Sequence, residues 1–239
     1  MEDLNCLKLG LIGGTGPEST LAYYKEIEQE VCKAMGGRFF PPMCIESLSV
    51  FRVLDYCKAG DLKGLSSYLL SGIISLAAAG CTLAAFTGIT PHIAFEEVSM
   101  KSPIPILGIP GAVCDEMEER GLSSALVLGT VPTMREGFFK DALKGRGIRA
   151  VVPDEPSQER IGRIIEGELE LGVVRDGSAE AIRAIAEDAA AKSGAQAVVL
   201  GCTELPLIWG RTGCALPAVD AMRCHICALC KAIENSMEH

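Results

Sequence analysis

Positive charge is scarce in this sequence: 22 lysines and arginines stand against 31 aspartates and glutamates, for a formal net charge of −9. A general binder of nucleic acid or of an anionic membrane needs the opposite sign, so the expected partner is a small molecule. The chain also lacks the composition of a disordered or fibrous protein. Its 239 residues are 49% hydrophobic, 22% charged and 5% aromatic, the balance of a compact globule with one large core or two smaller domains. The start, Met1-Glu2-Asp3-Leu4, has neither the basic residues nor the apolar stretch of a signal peptide. The 11 cysteines are therefore expected to be mostly reduced thiols in the cytoplasm rather than a disulfide framework. Charged residues are absent from positions 64–95, a run long enough in principle to span a bilayer. Gly72, Gly80 and Gly88 break it, Ser66, Ser67, Ser71 and Ser75 dilute it, and Pro91 ends it. A buried helix followed by a buried strand fits better, and no membrane segment is expected.

What is present is a rhythm of short apolar runs, at residues 7–13, 84–87, 104–109, 125–129, 148–152, 197–201 and 215–219, separated by amphipathic stretches. Strands with no polar face belong to parallel sheets covered by helices, so the fold class is α/β. A helix is expected from Asp61, as N-cap, to Ala79, with Leu62, Leu65, Leu69, Ile73 and Leu76 on one face and Gly80 as the stop. The two halves also resemble each other. Leu11-Ile12-Gly13-Gly14-Thr15-Gly16-Pro17 aligns with Leu126-Val127-Leu128-Gly129-Thr130-Val131-Pro132 at an offset of 115. At an offset of 114, Gly80 aligns with Gly194, the strand ending at Thr87 aligns with the one ending at Gly201, and Gly88 falls opposite Cys202. Ile104-Pro105-Ile106-Leu107 repeats as Leu216-Pro217-Ala218-Val219.

Two similar parallel-sheet α/β units, residues 1–119 and 120–239, are thus expected to pack about a pseudo-twofold axis, with the last helix, from Asp220, crossing back to the first unit. Parallel sheets bind ligands at the carboxyl ends of their strands. The site is expected in a cleft between the units, lined by residues 13–16, 87–90, 129–133 and 201–204, which include Thr87, Gly88, Ile89, Thr133 and Glu204.

Cys202 sits where a strand ends and a helix opens, in Gly201-Cys202-Thr203-Glu204. Helix amides and dipole favour a thiolate there, so Cys202 is the candidate acid/base. The turn Gly13-Gly14-Thr15-Gly16-Pro17 could bind an anion through its amides, a carboxylate as well as a phosphate, but it has neither the Gly-x-Gly-x-x-Gly spacing nor the Gly-Lys-Ser/Thr of a nucleotide site. The run Cys224-His225-Ile226-Cys227-Ala228-Leu229-Cys230 has the look of a metal motif, yet its period and apolar neighbours read as the buried face of a helix, and no metal is expected. His92, after Pro91, suits either catalysis or local hydrogen bonding.

These residues resemble the cofactor-independent aspartate/glutamate racemase superfamily, which includes hydantoin racemase, maleate isomerase and arylmalonate decarboxylase. Residues 11–20 are similar to the amino-terminal signature of the aspartate racemase branch, and Leu200-Gly201-Cys202-Thr203-Glu204-Leu205 to its second-cysteine signature. Thr90-Pro91-His92, Leu128-Gly129-Thr130, and Asp220 with His225 fit further landmarks. The resemblance implies a cytoplasmic homodimer acting on a small amino acid or carboxylate with no cofactor, one thiol from each half working on opposite faces of Cα. It also implies that Thr15, Ser49, Thr90, Thr130 and Thr203 supply donors to the substrate.

The chain departs from the family where the first-half motif has Cys or Thr, then Asn: here stand Gly88 and Ile89. Cys81 is seven residues upstream, about 23 Å along an extended strand. Water, Thr87 or a neighbouring group is left for the second acid/base role. A glycine opposite a single thiol also resembles arylmalonate decarboxylase, so the alternatives are a one-thiol decarboxylase or isomerase of a dicarboxylic acid, or a paralogue that binds without turnover. Arg52, Arg160 and Arg163 are candidates for a substrate's second carboxylate.

Overall fold

The computed structural model describes residues 7–237, so Met1-Glu2-Asp3-Leu4 lies outside the described residues. Strands and helices alternate. The first part runs β1 (Leu9–Gly13), α1 (Pro17–Ala34), β2 (Met43–Ser47), α2 (Val50–Ala59), α3 (Leu62–Ala78), β3 (Leu83–Phe86), α4 (Phe95–Lys101), β4 (Ile106–Leu107) and α5 (Ile109–Glu119). It continues with β5 (Ser124–Gly129), α6 (Val131–Arg135), α7 (Gly137–Gly145), β6 (Arg149–Val151), α8 (Glu155–Gly167), α9 (Asp176–Ser193), β7 (Ala197–Gly201), α10 (Leu205–Thr212), β8 (Ala218–Asp220) and α11 (Ala221–Met237). Two sheets result, ordered β2-β1-β3-β4 and β6-β5-β7-β8, with every neighbouring pair parallel. The fold is α/β with two similar units.

The central strands β1, β3, β5 and β7 are buried along their whole length, as two covered faces require. β2 is not foreseen from continuous apolar runs, because Met43-Cys44-Ile45-Glu46-Ser47 is a half-buried edge strand with polar positions. Of the other edge strands, β4, β6 and β8, both β4 and β8 are shorter than the apolar runs they overlap. Pro105 and Pro217 stand before them and can only accept: Ala84 N donates to Pro105 O at 2.9 Å and Val198 N to Pro217 O at 2.8 Å. The same device in both sheets is the repeat expressed as hydrogen bonds.

Sheet register refines the internal alignment. Leu9 pairs with Leu83, while Ala125 pairs with Ala197. With β3 laid on β7 at the offset of 114, Leu9 corresponds to Ala125 and Gly13 to Gly129. Three residues, 14–16, join β1 to α1, whereas Thr130 alone joins β5 to α6, so the turn after β1 is two residues longer. Gly88 remains opposite Cys202.

In the first unit, Asp61 caps α3, its Oδ1 accepting from Gly64 N at 2.8 Å. Leu65, Leu69, Ile73 and Leu76 face a core with Ile12, Phe86 and Val98, and Gly80 ends the segment with φ 84°. Leu62 is instead exposed, since a first-turn position next to the cap points away from that core. The second core gathers Leu126, Leu128, Ile161, Ile165, Ile182, Val198, Leu200 and Ile208. Among the described residues, no helix is long and apolar enough to cross a membrane.

The first unit takes the described residues up to Ile109 and those from His225 onward, and the second runs from Pro110 to Cys224. The dividing points thus fall at the start of α5 and inside α11, rather than near residue 119. His225, Ile226, Leu229, Cys230 and Ile233 are buried on α11. Among the described residues no group of three or more His, Cys, Asp or Glu side chains is arranged to hold a metal.

Candidate active site

In the first unit, β1 ends at Gly13 and the chain turns through Gly14 at φ 72°. A Cβ on Gly14 would collide with the Leu48 carbonyl, so backbone conformation and space both demand glycine. Thr20, in the first turn of α1, ties the loop down. Its Oγ1 accepts from Gly14 N at 3.0 Å, lies 2.9 Å from Gly16 O as a donor, and lies 3.1 Å from Thr87 Oγ1. Thr87 is fully buried and donates to Ile12 O at 3.1 Å. That hydroxyl fastens β3 to β1.

Thr15 covers Gly88. A Cβ at Gly88 would stand 2.7 Å from Thr15 Oγ1 and 2.9 Å from Thr15 O. Among the described residues, Thr15 Oγ1 has no hydrogen-bond partner although it is buried. Beyond Gly88, Ile89 is buried and Thr90 half-buried, and His92 pins the turn they form. A carbonyl only accepts, so His92 Nδ1–H donates to Ile89 O at 3.0 Å, and Nε2 accepts from Ile109 N at 3.0 Å. Burial pushes its pKa down to about 4, against hydrogen bonds to Ile89 and Gly88 that raise it. Both nitrogens are thus spent locally. His225 is held likewise: Nε2–H donates to Leu107 O at 3.0 Å, and Nδ1 accepts from Tyr23 Oη–H at 2.8 Å. Burial, then the neighbouring His92, pushes it down to about 3.

Ser49, N-cap of α2, adjoins a residue that sequence reasoning missed. Tyr68 Oη accepts from Ser49 N at 2.8 Å, and the Arg52 guanidinium lies 4.2 Å from the centre of the Tyr68 ring. Arg52 is therefore in the first turn after β2, on the carboxyl side of the sheet. Arg160 and Arg163 sit further along α8, beyond its first turn.

In the second unit, Thr130 caps α6, with its Oγ1 accepting from Thr133 N at 3.4 Å and lying 3.0 Å from the buried Thr133 hydroxyl. Thr133 also packs where Gly129 and Gly201 have no side chains. At the end of β7, Cys202 Sγ–H donates to Glu204 Oε2 at 2.9 Å, and Thr203 Oγ1–H donates to the same oxygen at 2.8 Å. Cys202 is buried, whereas Thr203 and Glu204 are half-buried. Burial, then the Glu204 charge and the hydrogen bond to it, raises the Cys202 pKa well above its ordinary value. The helix-driven thiolate expected from sequence is corrected: Cys202 rests as a thiol. A helix end contributes about 0.3–1 kcal/mol, less than the cost of burying a charge beside a carboxylate.

Glu170, also missed, adds to this field. Its pKa is raised by partial burial and then by Glu204 and Glu166, and its charge further disfavours the Cys202 thiolate. A surface hollow of about 390 Å³ lined by Lys140, Lys144 and Arg149 opens beside the amino end of β6, where open α/β sheets do not place their ligands.

The family model described as Asp/Glu/hydantoin racemase matches residues 12–229. The broad specificity amino-acid racemase RacX of Bacillus subtilis (strain 168) is 22% identical over 219 residues, covering 90% of this chain and 93% of RacX. The crystal structure of an aspartate racemase homologue from Pyrococcus horikoshii OT3 superposes with a TM-score of 0.79 at 33% identity, covering 96% of this chain and 98% of that one. Picrophilus torridus aspartate racemase, at 20% identity and a TM-score of 0.71 over 95% of this chain and 94% of its own, shares the fold. With the matched region running from β1 into α11, the chain belongs to the Asp/Glu/hydantoin racemase family.

Proposed function

We propose that this protein is a cofactor-independent racemase of aspartate- or glutamate-like amino acids in which Cys202 is the acid/base at Cα. The observation that carries the proposal is the Cys202 thiol donating to Glu204 Oε2 at 2.9 Å, at the carboxyl end of a central strand. A buried thiol gives a proton readily to a carbanion. To take one, it first passes its own to the Glu204 carboxylate, after which the thiolate removes the Cα proton. The first of these transfers runs along the hydrogen bond from Cys202 to Glu204. The amides of the Gly13–Gly16 turn and the hydroxyls of Thr15, Ser49, Thr90, Thr130 and Thr203 serve the substrate carboxylate and the enediolate that forms from it. Thr87, Gly88, Ile89 and Thr133 shape the strand ends. Arg52, steadied on Tyr68, takes the second carboxylate.

The family description and the aspartate racemase homologue support a dicarboxylic substrate, and the broad specificity of RacX makes neutral amino acids part of the test. A homodimer is also proposed. Leu21, Tyr24, Phe40, Ile45 and Phe51, all within one stretch of the first unit, are exposed apolar side chains that a second copy would cover; sedimentation measures it.

Gly88 favours a second reading. With no first-half side chain, chemistry on one face suffices if loss of carbon dioxide makes the carbanion and Cys202 protonates it. Chiral chromatography of single enantiomers and of dicarboxylic acids separates the two. The racemase produces the opposite enantiomer with no loss of total substrate. Net consumption with release of carbon dioxide replaces it with the decarboxylase, and saturable binding without turnover removes both.

A further inference from the structure

We infer that Cys44 and Cys81 form a redox site, in which a peroxide joins the two thiols as a disulfide beside Gly10 and a dithiol reductant reopens it. The inference stands on the first unit alone and is independent of the racemase reading.

Gly10 of β1 pairs in register with Cys44 of β2. Register partners on neighbouring strands send their side chains to the same face of a sheet, so the Cys44 side chain stands beside the position where Gly10 has none. On that face the Cys81 Cβ lies 3.2 Å from where a Cβ of Gly10 would be, next to Leu76 atoms at 3.0 and 3.1 Å. The missing side chain is what allows the chain leaving α3 to settle on β1 and bring Cys81 towards Cys44. The core of the first unit shows the same neighbourhood, with Cys44 packed against the cluster that contains Leu76 and Cys81. Burial pushes the Cys81 thiol up to about 11, and the adjoining Cys44 thiol is the next cause. Both are free thiols, Cys44 half-buried on an edge strand and Cys81 buried. They sit at the amino end of the sheet, away from the strand ends that carry the candidate active site.

Hydrogen peroxide is the oxidant that the chemistry needs. Cys44, reached from the sheet edge, meets it first: the Cys44 sulfur takes one oxygen, the O–O bond breaks, and a sulfenic acid and one water result. The Cys81 sulfur then attacks the sulfenic sulfur. The S–S bond forms, the S–O bond breaks, and the hydroxyl leaves with the Cys81 proton as a second water. Two electrons pass from the thiol pair to the peroxide. Lys8, whose ammonium donates to Ala79 O at 2.6 Å, is the nearby charge that favours loss of the Cys81 proton. The finished bond closes the loop that carries α2 and α3, with Ser49, Arg52 and Tyr68 on it, and removes freedom from the unfolded chain.

The test treats the folded protein with hydrogen peroxide until thiols are lost, blocks the remainder with N-ethylmaleimide, and maps tryptic peptides by mass spectrometry. Cys44 is the only cysteine in peptide 39–52 and Cys81 the only one in peptide 64–101, so a species two hydrogens lighter than their sum identifies the bond. This linked pair is expected to dominate the disulfides of the wild type and to vanish with dithiothreitol. The urea midpoint of the oxidised protein should rise by about 1 M and fall back on reduction. Cys44→Ser is expected to show neither change. Cys81→Ser should leave Cys44 without a resolving thiol, so that it proceeds to the sulfinic acid; should that variant not fold, the wild type against Cys44→Ser carries the comparison. Recovery of Cys44 and Cys81 as separate peptides while other thiols have reacted overturns the proposal. A linked pair no more abundant than links among the other cysteines overturns it as well.

Discussion

Acidification from about pH 7.5 to about pH 5 is expected to cost the fold roughly 4 kcal/mol through two histidines. At the higher pH, His92 and His225 are neutral in folded and unfolded chains alike. Their ordinary value is 6.5, and burial holds them near 4 and 3 in the fold. Between 6.5 and those values the unfolded chain binds two protons that the native protein refuses, so stability falls as pH falls through this window. At about pH 5 an unfolded histidine is about 97% protonated, and each ring then contributes about 2 kcal/mol of destabilisation. The sum depends little on the native values, because both lie well below that pH. It is large against the 5–15 kcal/mol typical of a whole domain. Stopping there also keeps most carboxylates ionised. Urea unfolding followed by circular dichroism at the two pH values gives the difference, and His92→Gln or His225→Gln should each shrink it by about 2 kcal/mol. A wild-type difference below about 1 kcal/mol would refute the view of both rings as buried, neutral pins.

Gly14→Ala should destabilise by about 2–4 kcal/mol, combining left-handed strain with collision against the Leu48 carbonyl, as read from the urea midpoint. Arg52→Gln is expected to raise KM for aspartate and glutamate roughly tenfold to a hundredfold, the loss of a charged hydrogen bond, and to leave neutral amino acids unchanged. Glu204→Gln removes the charge that disfavours the thiolate, so the Cys202 titration should move to lower pH. Thiolate absorbance with the Cys202→Ser signal subtracted reads that shift, and an upward or absent one contradicts the pairing.

The central strands were legible because a strand covered on both faces must be apolar throughout, and 197–201 appears in the structure with those bounds. Asp61 and Gly80 punctuate α3 as capping chemistry requires. β2 was not legible, since an edge strand needs only partial burial and Glu46 and Ser47 break the apolar signal. At the site, position was readable and electrostatics were not. Cys202 does stand at a strand end, but its rest state is decided by burial and by where the Glu204 side chain turns, which no spacing encodes. The same holds for Tyr68, brought from α3 to Ser49 and Arg52, and for Thr15, brought against Gly88 by a turn two residues longer than its counterpart in the second unit.

The most direct test of Cys202 as the acid/base is proton NMR of amino acids in heavy water with the wild type beside Cys202→Ala. Loss of the Cα proton signal by exchange with the wild type, and its persistence with the variant, is the predicted result. Exchange that continues in Cys202→Ala at the wild-type rate would contradict the account.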